Sequence, residues 1–215
     1  MNPTPEKTSV MAPFILMLFL YFIVGLFTVI NQQFQVPLKS ALLPHDGNMT
    51  NALVTLLNFS WFLAYPFSEG FATRWVDRLG YRKTSVYSLL IFIVGLGFYE
   101  AAVLLHIYAP SYITIMGNPI FTGFFVFLSG SFVIGMAVTI LQVVTGLYLD
   151  VNPVGKTTPL QRQMIGGTTN SIGMAIGPLV VSYIIFYGIP LHNVQSREFI
   201  WPVICLIAII CIFTL

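Results

Sequence analysis

Apolar residues in this chain come in long unbroken runs, not in alternation. They extend from about Met11 to Phe34, Ala52 to Phe71, Ser85 to Leu105, Pro119 to Leu149, Gln161 to Tyr187, and Phe199 to Leu215. A membrane-crossing helix needs about 20 predominantly apolar residues, so each of the first five runs is long enough to be one. The fourth is long enough to tilt or to extend past the bilayer. The sixth, FIWPVICLIAIICIFTL, is about 17 residues long, at the lower edge of a span, and no basic residue follows it. The pattern predicts an all-α membrane protein, a six-transmembrane-helix bundle over residues 1–215, with the chain ending within or at the end of the sixth helix. No period-two alternation in ten-residue segments appears, which excludes a transmembrane β-barrel.

Composition agrees. Of 215 residues 57% are hydrophobic and 7% charged, where a soluble domain carries about 25% charged residues. A surface so poor in charge excludes the soluble globular and disordered classes. The nine Lys and Arg residues are too few for a phosphate-binding footprint, so no nucleic-acid partner is expected. The partner is the lipid bilayer. Cys205 and Cys211 both lie in the last apolar run and read as small apolar residues. The first run is too long for a signal-peptide core and lacks a small-residue cleavage site.

Charge placement orients the spans. With the N-terminus inside, the cytoplasmic segments hold Lys7, Arg74, Arg78, Arg82, Lys83, Lys156 and Arg162, and the outer segments hold Lys39 and Arg197. Such a positive-inside bias predicts a multi-pass protein of the plasma (cytoplasmic) membrane with a cytoplasmic N-terminus. Trp75, Tyr81, Tyr108, Tyr112, Tyr148 and Trp201 suit the interfaces. The uncharged stretch from His106 to Asn118 reads as a loop on the outer interface.

Polar groups inside apolar spans cost free energy unless they are paired or functional, so they are the candidate chemistry. The first span ends in Asn31-Gln32-Gln33, with Gln35 just beyond. Pro37 follows closely and reads as a helix-end signal. Asn58 lies in the second span, Gln142 in the fourth, and Asn170 in the fifth beside Thr168, Thr169 and Ser171. Amides offer donors and acceptors together, which suits a hydroxyl-rich solute, or an interhelical hydrogen bond. Thr and Ser weigh less because they bond their own i−4 carbonyl. Gly173-x-x-x-Gly177 presents a small face for close helix packing, and Pro178 predicts a kink. Glu69 and Glu100 sit near span ends, where snorkelling to water is the simpler reading. His45, His106 and His192 are scattered over outer loops and suggest no metal site. No nucleophile–base constellation lies in the spans, so no enzyme activity and no cofactor is expected.

Between the second and third spans stands Asp77-Arg78-Leu79-Gly80-Tyr81-Arg82-Lys83. Gly80 permits a sharp turn. Asp-Arg-x-Gly-x-Arg-Lys at this place resembles the signature loop of the major facilitator superfamily, with Thr73 where that family usually has Gly. Gly25 with Asn31-Gln32, Gly135 with Leu141-Gln142, and Arg162 with Asn170-Ser171 and Gly173 resemble its fucose–proton symporter branch of sugar transporters. The resemblance covers nearly the whole chain, as the N-terminal half of a twelve-helix fold.

The resemblance implies sugar transport by alternating access. The substrate would lie near the midplane, between this bundle and the missing C-terminal half of the transporter. Asn31, Gln32, Gln142 and Asn170, with Asn58, become the expected substrate contacts. Asp77, Arg78, Gly80, Arg82 and Lys83 become the inner-gate loop. Gln32 and Gln142 stand where that branch has acids, and Gly146-Leu147 and Gly167 also depart from its pattern. A glutamine cannot carry a proton, so the substrate class carries over more directly than symport does. Two other readings stay open: a multidrug exporter of the same superfamily, whose fifth-span motif shares the Gly-x3-Gly-Pro core, and a non-transporting membrane scaffold.

Overall fold

The computed structural model describes residues 8–43, 48–115 and 117–214. Lys7, His45 and Leu215 lie outside these. The protein is mostly helical. The helices are α1 (Thr8–Gln33), α2 (Gln35–Leu42), α3 (Asn48–Tyr108), α4 (Gly123–Val151), α5 (Pro159–Leu179) and α6 (Ile200–Thr214). Among the described residues, four helical segments are long and apolar enough to cross a membrane: Met11–Leu42, Met49–Tyr108, Gly123–Val151 and Pro159–Ile185.

The second of these is 60 residues long and is not straight. At Gly80 the backbone leaves helical geometry (φ 78°, ψ 169°), a left-handed conformation that glycine adopts without steric cost. Trp75 and Tyr87 lie on either side of this break with ring centroids 6.1 Å apart. In a continuous helix, twelve residues would separate them by about 18 Å. Helix α3 is therefore a hairpin of two arms, residues 48–79 and 81–108, and the second and third apolar runs become its arms.

Both arms pack on α4. Ser60 donates to the Leu128 carbonyl (2.9 Å) and Ser131 to that of Leu57 (3.1 Å). On the other arm, Tyr99 stacks on Phe127 at 3.7 Å. Helix α1 lies against α5 along glycines. A Cβ at Gly25 would come under 3.0 Å from the Asn170 carbonyl oxygen, and one at Gly173 under 3.0 Å from that of Phe22. Gly177 faces Val29 in the same seam. Without a hydrophobic driving force between helices in lipid, such close backbone approach is what holds a seam together.

The two ends of the bundle are built differently. At the near end, where α1 starts, Thr158 and Gln161 form a capping box and Pro159 occupies the first turn of α5, which starts the helix cleanly. Arg162 is 2% exposed. It donates to three carbonyls: Leu149 (2.6 Å), Asp150 (2.8 Å) and Thr157 (2.8 Å). A cation on the orphan carbonyls of a helix C-terminus is a favourable cap, so Arg162 clamps α4 to α5. At the far end, Phe34, Phe186 and Phe199 form an aromatic triangle with centroids 5.2–5.9 Å apart.

Three details differ from the sequence reading. The interfacial stretch before the fourth span holds a small antiparallel hairpin, β1 (Tyr112–Ile115) with β2 (Asn118–Phe121), pairing Tyr112 with Phe121. Its strands are too short for alternation to show, and Pro119 belongs to β2 rather than to the fourth span. Pro37 does not end the helical path: after a break at Phe34, it sits in the first turn of α2, where its missing N–H costs nothing. Pro178 is followed by a widened π-helical segment, Val180–Ile185, a common way to absorb a disrupted i→i−4 ladder.

Candidate functional site

Asn31, in the last turn of α1, is 3% exposed. Its side-chain oxygen accepts from the Tyr99 hydroxyl (3.0 Å) and from the Ser131 hydroxyl (3.3 Å). Its amide nitrogen donates to the side-chain oxygen of Asn58 at a long 3.5 Å. One amide thus joins α1, both arms of α3, and α4. In low-dielectric surroundings a buried amide without partners is costly, while a satisfied one specifies how the helices meet. Asn31 has its partners within the bundle, so it acts as a brace.

A second amide is held loosely. Gln142 on α4 is half-buried and accepts from the Tyr65 hydroxyl at 3.5 Å. Tyr65 lies on the first arm with Asn58, Phe62 and Glu69 at helical spacings of 7, 3 and 4 residues, which puts all four on one face. Asn58 and Tyr65 are half-buried, and Phe62 and Glu69 are exposed. This stripe carries amide, phenol and carboxylate groups along a helix long and apolar enough to cross a membrane. Long hydrogen bonds and partial exposure leave its donors and acceptors free to change partners.

The remaining expected residues fall elsewhere. Asn170 donates to the Tyr21 carbonyl (3.0 Å) and reinforces the α1–α5 seam. Thr168, Thr169 and Ser171 each bond their own i−4 carbonyl. Gln32 is half-buried, with no side-chain hydrogen bond to another described residue. Gln35 lines a cavity of about 540 Å³ at the far end with Lys39, Ser40 and His192. Asp77, Arg78, Arg82 and Lys83 are all exposed around the Gly80 turn. That turn is fifteen residues from Tyr65, about 22 Å along a helix, so turn and amides form two separate sites.

Four residues absent from the sequence reading complete the picture. Tyr99 and Ser131 are the partners of Asn31, Tyr65 is the partner of Gln142, and Gln163 donates to the Gly146 carbonyl (2.7 Å) beside the Arg162 clamp. The spacing of Asn58, Tyr65 and Glu69 was a usable signal for the first-arm stripe. Nothing local marked Tyr99 or Ser131. Among the described residues no group of three His, Cys, Asp or Glu side chains is placed to hold a metal ion.

No protein-family model, curated protein or solved structure matches this chain.

Proposed function

We propose that this chain is one helical bundle of a membrane transporter that carries a sugar or similar hydroxyl-rich solute by alternating access. On this reading it is the N-terminal six-helix half of a major-facilitator-type protein, in the plasma membrane with its N-terminus in the cytoplasm. The observation that carries the proposal is the half-exposed polar stripe of Asn58, Tyr65 and Glu69 with Gln142 opposite. In a bilayer such a stripe faces another protein element or a water-filled path, because lipid offers it no partners. Amide and phenol groups together supply the mixed donors and acceptors that a polyol needs.

The expected contacts then divide by role. Gln142, Asn58 and Gln32 bind the solute, joined by Tyr65. Asn31 and Asn170 hold the helices that present them. The turn from Asp77 through Arg78 and Gly80 to Arg82 and Lys83 serves as the inner gate, about 22 Å away along the first arm.

The test is uptake of labelled hexoses into vesicles containing the whole gene product. Gln142→Ala and Tyr65→Phe each remove one hydrogen-bonding group and are expected to raise KM about tenfold, the equivalent of ~1.4 kcal/mol. A gene product that carries no hexose, or variants that carry it unchanged, would end this reading.

A further inference from the structure

Helix α6 starts at the far end, where Phe199 meets Phe34, and runs toward the near end between α1 and the second arm of α3. On its way Leu206 shares a small cavity with Phe27 and Ile30 of α1 and with Phe92 and Leu96 of the arm. Nearer the end where α1 starts, the same two helices part around a groove of about 540 Å³. Ala12, Leu16 and Leu20 wall it on one side, and Arg82, Ser85 and Leu89 on the other. Thr214 lies eight residues past Leu206, about 12 Å further along α6. Arg82 is ten residues, about 15 Å, below Phe92, and Ala12 is fifteen residues, about 22 Å, below Phe27. The axis of α6 therefore points into the groove and reaches its floor in about two to seven residues more.

The walls favour one kind of occupant. Ser85 is 7% exposed, and its hydroxyl has no hydrogen-bond partner. Lipid hydrocarbon offers it none either, and a buried polar group without one is costly. A helix can carry a hydroxyl or an amide down to it. Arg82, at the floor, is exposed and makes no hydrogen bond or ion pair to another described residue. A helix C-terminus leaves four carbonyls without partners and carries partial negative charge, which a guanidinium at that level satisfies. Arg162 already does this for α4.

We propose that the stretch following Leu215 in the whole gene product continues α6 into this groove and ends on Arg82, which caps its last carbonyls. This rests on the transport reading above, in which the chain is the first half of a longer protein. The 15 residues of α6 with these few more make about the 20 that a membrane crossing needs. Arg82 is then a positioning residue that ties the sixth helix to the Gly80 turn, so the last span of the bundle and the inner-gate loop move together.

The experiment uses the whole gene product with Cys205 and Cys211 replaced by alanine. One cysteine is placed by Leu16→Cys, and a second in turn at each of the first eight positions after Leu215. Oxidation is expected to link them at every third or fourth position, the mark of a helix lying against that wall. Arg82→Gln is expected to lower the yield at the last linking position at least threefold, and Arg82→Lys to restore it, because a charge of the same sign still meets the carbonyls. A second series from Val86→Cys, on the opposite wall, keeps the result independent of how the Leu16 variant folds. No link from either wall gives the groove to lipid or to another part of the protein and overturns the proposal. Yields that Arg82→Gln does not change overturn the cap. Missing links with hexose uptake intact leave the transport reading standing, whereas periodic links without hexose uptake remove that reading and keep this one.

Discussion

Gly173→Ala adds one methyl group to α5 where it crosses α1. The new Cβ would come under 3.0 Å from the Phe22 carbonyl oxygen and to 3.0 Å from the Leu26 nitrogen. Both are backbone atoms, so no side-chain rotation relieves the contact and the two helices must part. Overpacking of this kind costs about 1–3 kcal/mol. Parting also strains the bond from Asn170 to the Tyr21 carbonyl, worth about 0.6 kcal/mol on average between membrane helices. Against this, replacing glycine by alanine inside a helix gains about 0.5–1 kcal/mol. The net expectation is a loss of about 1–3 kcal/mol. Gly167→Ala on the same helix meets nothing within 4 Å, so only the gain of about 0.5–1 kcal/mol applies. Equilibrium unfolding of the whole gene product in mixed micelles, titrated with a denaturing detergent, compares the two. Midpoints that move in opposite directions support the seam. Midpoints that move together would refute the claim that α1 and α5 meet backbone to backbone. Adding Gly25→Ala to Gly173→Ala should cost less than the sum, since the first substitution already parts the helices.

Asn31→Leu is expected to lower stability by about 1–3 kcal/mol in the same assay, because it strands the buried Tyr99 hydroxyl and takes the donor from Asn58, while Ser131 keeps its bond to the Leu57 carbonyl. Combined with Tyr99→Phe, it should cost less than the two separate losses added. Arg162→Lys keeps the charge but cannot span three carbonyls on two sides of a corner. A loss of about 1–3 kcal/mol is expected, and a lysine variant as stable as the parent would show that charge alone matters there. Collapsing the proton gradient is expected to leave hexose uptake to equilibrium unchanged, since Gln32 and Gln142 do not titrate. Gradient-driven accumulation would instead direct attention to Glu69, the carboxylate on the first-arm stripe.

The sequence made the helices legible because lipid imposes a single demand, a long apolar run, that any window of the chain reveals. The Gly80 turn was legible for a related reason: polar and charged residues flanking one glycine between two such runs leave the chain few other places to reverse. The polar partnerships were not legible. Ser131 and Asn31 are 100 residues apart and Tyr99 and Asn31 are 68 apart, so no window contains both members of either pair. Arg162 shows the opposite difficulty. As one of several basic residues it counted toward orientation, yet its guanidinium is buried and committed to three carbonyls. The hairpin between α3 and α4 escaped because four-residue strands carry no usable period.

The π-helical segment at Val180–Ile185 has a consequence for chain length rather than for chemistry. Phe186 closes a five-residue bond to the Val181 carbonyl (3.0 Å), so this stretch holds one residue more than an α-helix of the same rise. Removing one of its residues would let the ladder return to four-residue spacing over the same rise, so Phe186 would keep its place between Phe34 and Phe199. A deletion in the regular turns of α5 has no such slack and would turn everything after it by about 100°. The wide segment is therefore the place on this helix where the chain can lose a residue and keep its aromatic lock. Its length, more than its letters, is free to vary.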